Sequence, residues 1–478
     1  MPDHPNVLLI CVDHWGGLLT RPAGHPVVMT PTIAQLARCG IHYTNAYSSC
    51  PVCGPARRSL MTGMTSRGHG DRVFSSEPMP AVTTLAQAFG DAGYQAAAVG
   101  KLHVTPQRDR IGFDDVLLNE EGRCRAPADD YELDLADRGH PGRGFASGMC
   151  NNDYMTRTWH LPDECHSTNW TAAQMCRTIH RRDPRKPGFW YMSFSAPHPP
   201  LWPLEAYMRQ YRGVEMDEPV VGAWSDDEQS LPWLLRQRRG LYAIESATPH
   251  EVDLARRAFY ALITHIDHQI RVVIGYLNEQ GLTSNTIIAF TSDHGDMLGD
   301  HRLWAKGLMY EMSAKVPLVI VPAADDPRVE VNVRDNRLAE LRDVMPTLLD
   351  MAGLDVPDSV EGQSLVAGER RSSLYGELYE HEHATRMVRD ARFKLVYYPV
   401  GNHAQLFDLE ADPRETRDLA GDSHYAEHLA RLRQTLVGHL YGSDEQWLRN
   451  GDLVGLPDRP VTPNLSRSLR GQRGLRFL

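Results

Sequence analysis

Short apolar runs that stop abruptly at polar residues recur along the chain: Val7 to Val12, Ala96 to Val99, Trp190 to Phe194, Thr286 to Phe290 and Val316 to Val321. Rich in Val, Ile and Phe, these runs predict buried strands. Between them, Thr83 to Ala92 and Leu254 to Asn278 read as helices. In the second, Leu262, Ile266, Ile270, Val273 and Leu277 fall at helical spacing, and Gly281 stands just past the end. Strands alternating with helices predict an α/β fold: a large, doubly wound, mostly parallel sheet flanked by helices. Residues 115–188 and 203–250 are polar and irregular and read as insertions over the strand ends. The stretch Val356 to Gly362, with one proline and two acids, marks a boundary, so residues 1–365 form the large domain and 366–478 a smaller α+β domain. In the latter, Phe393 to Tyr398 and Gln405 to Leu409 read as a hairpin pair of an antiparallel sheet.

Composition narrows the class. Over 478 residues, 42% hydrophobic and 23% charged positions are ordinary globular usage, which excludes collagen-like, coiled-coil and disordered chains. A formal net charge of -11 argues against nucleic acid or an anionic membrane as a partner. Eight cysteines (Cys11, Cys39, Cys50, Cys53, Cys124, Cys150, Cys165, Cys176) are too dilute for a disulfide scaffold. The apolar run near the N-terminus is too short for a signal-peptide core, and no stretch approaches the ~18 uncharged apolar residues of a spanning helix. The expectation is a cytoplasmic protein with reduced thiols.

In open α/β sheets, ligands bind at the carboxyl ends of the strands. Here those ends read Asp13-His14, Lys101-Leu102-His103, Pro197-His198-Pro199 and Asp293-His294-Gly295-Asp296. Two Asp-His pairs suggest a cation site with hard oxygen ligands and imidazole help, while Lys101, His103 and His198 would surround an anion. Each pair taken alone is equally the end of a strand or the cap of the next helix.

The run Cys53-Gly54-Pro55-Ala56-Arg57, followed by Leu60 and by Thr62-Gly63, fits a Cys-x-Pro-(Ser or Ala)-Arg pattern with Leu and Thr-Gly at fixed offsets. It resembles the signature of the type I sulfatases of the alkaline-phosphatase superfamily. Asn6 to Asp13, Thr30 to Leu36, Gly100 to His103, Ser292 to Gly299, Lys306-Gly307 with Tyr310-Glu311, and Leu406 to Leu409 with Asp412-Pro413 resemble further family segments. The resemblance implies a sulfuric ester hydrolase in which Cys53 is oxidised to formylglycine by a formylglycine-generating enzyme. The hydrated aldehyde then attacks the sulfur of a small-molecule sulfate monoester. It implies a divalent metal, calcium first with manganese or zinc as alternatives, held by Asp13, His14, Cys53, Asp293 and His294. His14 departs from the more usual second Asp or Gln. Arg57 would hold the diol. Lys101, His198 and Lys306 would contact sulfate, with His198 protonating the leaving alcohol and His103 taking the second hydroxyl's proton.

A zinc pair Cys50-x-x-Cys53 lacks a second pair at finger spacing. A phosphonate monoester or phosphodiester hydrolase of the same superfamily is the nearest alternative, since it shares the Cys-Gly-Pro-Ala-Arg run; the retained Lys101 and His103 favour sulfate. A third reading is a metal-binding protein that kept the fold without the chemistry. His381-Glu382-His383 reads as a solvated loop. The tail 463–478, with four arginines and no acid, suggests packing across a second copy and hence a homo-oligomer. Trp159, Trp170, Trp202, Trp224 and Trp233 in the insertions are candidates for selecting the alcohol or for a lid's own core.

Overall fold

The computed structural model describes residues 4–462 except 122–128, 150, 229, 240, 243, 245–246, 325 and 368. The Arg-rich tail, Cys124 and Cys150 lie outside the described residues. Eight strands form one sheet: β1 (Asn6–Val12), β2 (Ile41–Tyr47), β3 (Gln95–Gly100), β4 (Asp115–Leu118), β5 (Gly188–Phe194), β6 (Thr286–Ser292), β7 (Leu318–Val321) and β8 (Val333–Glu340). Their spatial order is β4-β3-β5-β1-β6-β7-β2-β8. All are parallel to their neighbours except β7, which runs antiparallel to β6 and β2. β1 pairs with β5 from Val7↔Phe189 and with β6 from Asn6↔Thr286. Every residue of β1, β5 and β6 is buried, as helices on both faces require.

The long helix Pro249–Glu279 covers one face, begun by a capping box between Thr248 and Glu251 and burying Leu262, Ile266, Ile270, Val273 and Leu277. The helix Leu85–Asp91 is capped by Thr84, whose hydroxyl accepts from the Gln87 amide. The expectation of irregular structure over 115–188 and 203–250 is overturned. Those ranges hold edge strand β4, the helix Ser167–His180 packed on β5 and on the long helix, and three further helices, Asp130–Asp137, Glu205–Tyr211 and Trp233–Arg238. Polar outer faces hid elements whose inner faces are apolar: Trp170, Met175 and Ile179 of Ser167–His180 are all buried.

A second sheet, order β12-β11-β10-β9, is wholly antiparallel: β9 (Leu374–Leu378), β10 (Thr385–Arg389), β11 (Phe393–Tyr398) and β12 (His403–Asp408). The hairpin expected from sequence is β11–β12, with Phe393 opposite Asp408 and Tyr398 opposite His403. The helix Ala426–His439 packs on it through Leu432 and Leu436.

Candidate active site

Because β3, β5, β1 and β6 are adjacent and parallel, four consecutive carboxyl ends open on one edge of the sheet. Asp13 follows β1, Lys101 follows β3, His198 lies just beyond β5, and Asp293-His294 follow β6. Gly100 turns the chain into Lys101 at φ +108°, where a Cβ would meet the Ser193 carbonyl oxygen at 1.8 Å, so only glycine lets β3 lie this close to β5.

Cys53 is the first residue of the helix Cys53–Thr62, whose buried face points into this edge. Its Sγ lies 3.2 Å from His294 Nε2 and 3.6 Å from Asp13 Oδ1. Arg57, one turn on, falls on the same helix face. It donates from Nε to Asp293 Oδ2 (2.8 Å) and from Nη1 to the Lys101 carbonyl (2.9 Å), Tyr191 Oη (3.1 Å) and Ser193 Oγ (2.8 Å). Its Nη2 is buried and has no hydrogen-bond partner among the described residues.

Lys101 Nζ donates to Asp13 and to Glu121. Lys306 Nζ donates to His14 Nε2 (2.6 Å) and to His198 Nε2 (2.9 Å). The opposite nitrogens are tied as well: His198 Nδ1 to the Pro199 carbonyl (2.6 Å), His14 Nδ1 to Asp296 Oδ2 (2.8 Å) and His294 Nδ1 to the Gly295 carbonyl (2.9 Å). His14 and His198 therefore turn an Nε2 lone pair toward Lys306, while His294 turns its Nε2 toward Cys53 Sγ. His103 reaches Cys53 through a side-chain hydrogen bond, and the Glu120 carboxylate holds the Leu102 and His103 amides at 2.8 and 2.9 Å.

The charges agree with this arrangement. Burial alone would raise the Cys53 thiol, but Lys101, Lys306, His294 and the His103 hydrogen bond hold it well below the usual thiol range. Cys50, deeply buried with Glu377 nearby, is pushed well above that range. Among the described residues the donor cluster contains Cys53 and not Cys50. Burial and Cys53 push the Asp13 carboxyl up; Lys101, His14 and His198 outweigh them and hold it well below the usual carboxylate range. Burial lowers His294, yet Asp293, Cys53 and Asp13 bring it up to about 9. Burial, Lys306 and His14 hold His198 well below the usual imidazole range.

Donor atoms of Asp13, His14, Cys53 and His294 all lie within 4.8 Å of one another, a possible metal site. Asp293 sits at its border: Oδ1 is 3.6 Å from His294 Nε2 and accepts the His14 and His294 amides, while Oδ2 is taken by Arg57. The structure thus gathers Asp13, His14, Cys53, Arg57, Lys101, His198, Asp293 and His294 into one buried cluster, with His103 and Lys306 half-buried at its border. Sequence reasoning missed Glu121, Tyr154, Tyr191, Ser193 and the role of Asp296. Asp296 stands in the quoted Asp-His-Gly-Asp run, but Tyr154 carries no local signal.

A cavity opens beside His198, lined by Glu121, Tyr131, Phe145, Pro200 and Trp202. Trp202 is therefore at the site, whereas Trp170 is buried between helices and Trp224 stacks on Tyr310 at 5.1 Å. His381–His383 is a short turn without a buried residue.

Comparison with known proteins decides the family. The sulfatase family model matches residues 5–354, and a model of the N-sulphoglucosamine sulphohydrolase C-terminal region matches residues 299–440. The chain belongs to the sulfatase family. This sulfatase is 34% identical over 473 residues to an arylsulfatase of Clostridium perfringens, covering 94% of the chain and 97% of the relative. It is 31% identical to a choline-sulfatase of Rhizobium meliloti, over 87% and 82% of the two chains. Its fold matches the phosphonate monoester hydrolase of Agrobacterium radiobacter with a TM-score of 0.78 at 25% identity, covering 95% of this sulfatase and 100% of that chain. Among the described residues no helix is long and apolar enough to cross a membrane.

Proposed function

We propose that this sulfatase hydrolyses a small sulfate monoester to an alcohol and inorganic sulfate, with Cys53 converted to formylglycine by a formylglycine-generating enzyme. The observation that carries this reading is the place of Cys53. It stands at a helix start, 3.2 Å from His294, beside Asp13 and on one helix face with Arg57, whose buried Nη2 lacks an acceptor. A hydrated aldehyde there would supply the hydroxyl that attacks sulfur.

A divalent cation fits the donor set of Asp13, His14 and His294, with the Cys53 position and the Oδ1 of Asp293 completing it. Such an ion supplies Lewis acidity toward sulfate oxygen and makes the attacking hydroxyl more acidic. Lys101 and Lys306 place two ammonium groups on either side of the reacting centre and neutralise sulfate charge. Arg57 is locked by four hydrogen bonds and offsets charge on the attacking oxygen. His198 and Lys306, joined at 2.9 Å, deliver the proton to the alcohol oxygen as the sulfur–oxygen bond breaks. His103 takes the proton of the second hydroxyl, which restores the aldehyde and frees sulfate. The cavity with Tyr131, Phe145 and Trp202 receives the alcohol, and its aromatic walls suit an aryl or cationic group.

The test is the mass of the tryptic peptide Cys39 to Arg57 from protein made in a host with the modifying enzyme. The expected peptide is lighter than the thiol form and reacts with aldehyde reagents; a thiol alone would defeat the mechanism. Turnover of an aryl sulfate against phenyl phosphonate then decides the ester. The retained Lys101 and His103 predict preference for sulfate, and a clear preference for phosphonate would make the protein a phosphonate hydrolase instead.

A further inference from the structure

His14 is the position at which this chain departs from the pattern it otherwise follows, and both its ring nitrogens are held. It is fully buried, with φ 60°, and its amide is held by Asp293 Oδ1 at 3.3 Å. Nδ1 donates to Asp296 Oδ2 at 2.8 Å, and the same oxygen accepts from the Tyr154 hydroxyl. The other oxygen, Asp296 Oδ1, accepts the Leu298 and Ala305 amides at 3.0 and 3.1 Å. Asp296 is wholly buried and Tyr154 is 2% exposed, so the carboxylate has no freedom to turn away. The ring packs edge-on against His198 and His294, with centroids 4.5 and 4.6 Å apart.

A carboxylate behind an imidazole fixes the tautomer, aims the remaining lone pair and makes it more basic, which is how ligating histidines are held in metalloproteins. Here the aimed atom is His14 Nε2, 3.9 Å from Asp13 Oδ1 and within the four-residue donor cluster. Asp13 is the carboxylate of that cluster, and Asp293 Oδ1, which also accepts two amides, stands at its border 3.6 Å from His294 Nε2. Two oriented imidazoles beside only two carboxylates, Asp13 and Asp293, are a poor set for calcium, which takes six to eight oxygen ligands, and a good one for a borderline first-row divalent ion. Lys306 Nζ donates to the same Nε2, so an ion bound there leaves Lys306 with His198 as its partner.

We propose that Tyr154 and Asp296 orient His14 as a nitrogen ligand, and that His14 biases the cation site of this sulfatase toward a borderline first-row divalent ion and away from calcium. This rests on the metal-site part of the proposed function. The test uses chelator-stripped protein titrated separately with Zn2+ and Ca2+ by calorimetry, as wild type and as His14→Asp, His14→Gln, Asp296→Asn and Tyr154→Phe. All are carried in a Cys53→Ala background so that no thiolate binds zinc. The expected result is that His14→Asp lowers the ratio of zinc to calcium affinity at least tenfold. Asp296→Asn is expected to weaken zinc about 10- to 100-fold while leaving calcium within about threefold. X-ray absorption of the zinc-loaded protein should show two imidazoles, and one in His14→Gln, which serves if His14→Asp does not fold. An unchanged affinity ratio in His14→Asp, or an equal imidazole count in His14→Gln and its parent, overturns the proposal. Because these readouts need neither formylglycine nor turnover, a failure of the sulfate-ester reading appears in activity while the metal result stands.

Discussion

At the scale of the residue, Arg57 shows what the motif does physically. Its guanidinium is buried, and Nε and Nη1 together reach Asp293, Lys101, Tyr191 and Ser193, so one side chain ties the helix Cys53–Thr62 to the ends of β3, β5 and β6. A lysine carries the charge without the planar fork. Arg57→Lys is therefore expected to lower kcat about 10²- to 10³-fold with a smaller change in KM, as measured by steady-state kinetics on an aryl sulfate. Loss in KM alone would place Arg57 in substrate binding instead. Cys53, Arg57, Lys101 and the two Asp-His pairs were legible because each sits in a short run with fixed spacing. Tyr191, Ser193 and Tyr154 were not: their side chains reach the site only through sheet register and long-range packing, for which a single sequence carries no local mark.

At the scale of the element, five strands of the large sheet and the long helix could be read from apolar runs and helical spacing, but interior strand β2 and the edge strands could not. β4 has the burial of an edge, exposed at Asp115 and covered only at Leu118, and β8 carries an unbroken polar run from Arg334 to Arg337. Sequence periodicity is equally silent on the buried charge cluster that joins the two sheets. Lys394 of β11 is fully buried and pairs with Glu311 at 2.8 Å and with Glu415; Glu311 also accepts from Tyr47 of β2 at 2.8 Å and lies 3.2 Å from Lys315. Glu311 stands five residues after Lys306, so this cluster anchors the segment that carries a site lysine. Removing one partner leaves its neighbours as uncompensated buried charge. Glu311→Gln is expected to destabilise the protein by about 3–5 kcal/mol in chemical unfolding, and Glu311→Gln with Lys394→Met to recover part of that loss. A change below about 1 kcal/mol in the single variant would show that the cluster is solvated enough to do without Glu311.

At the scale of the whole molecule, the response to acid follows from histidines outside the site. Burial pushes His42, His69, His166 and His301 down to about 4, helped at His42 by Arg334 and Lys315 and at His301 by Arg414. In three of them Nδ1 accepts a backbone amide: Asp71 at 3.3 Å for His69, Thr168 at 3.1 Å for His166 and Gly222 at 3.1 Å for His301. A proton added there would face an N–H. The unfolded chain takes these protons near pH 6.5. The stability they contribute is therefore complete above pH 6.5 and lost as the pH falls toward 4, at most about 3 kcal/mol for each ring. Burial pushes Asp129 and Glu415 up to about 7, and these act in the opposite sense, recovering stability as the pH falls through that value. Burial also lowers His160, His265, His403 and His439 and raises Asp267, Asp300, Asp343 and Asp418. The lowered imidazoles outnumber the raised carboxyls, so the unfolding midpoint is expected to fall between pH 6.5 and 4 at constant ionic strength. His69→Gln keeps a side chain able to meet Ser59, which lies 3.0 Å from Nε2, but has no proton to take up. It should lower stability at pH 7.5 and flatten the acid slope below 6.5. An unchanged slope in that variant would mean that the acid response comes from other groups.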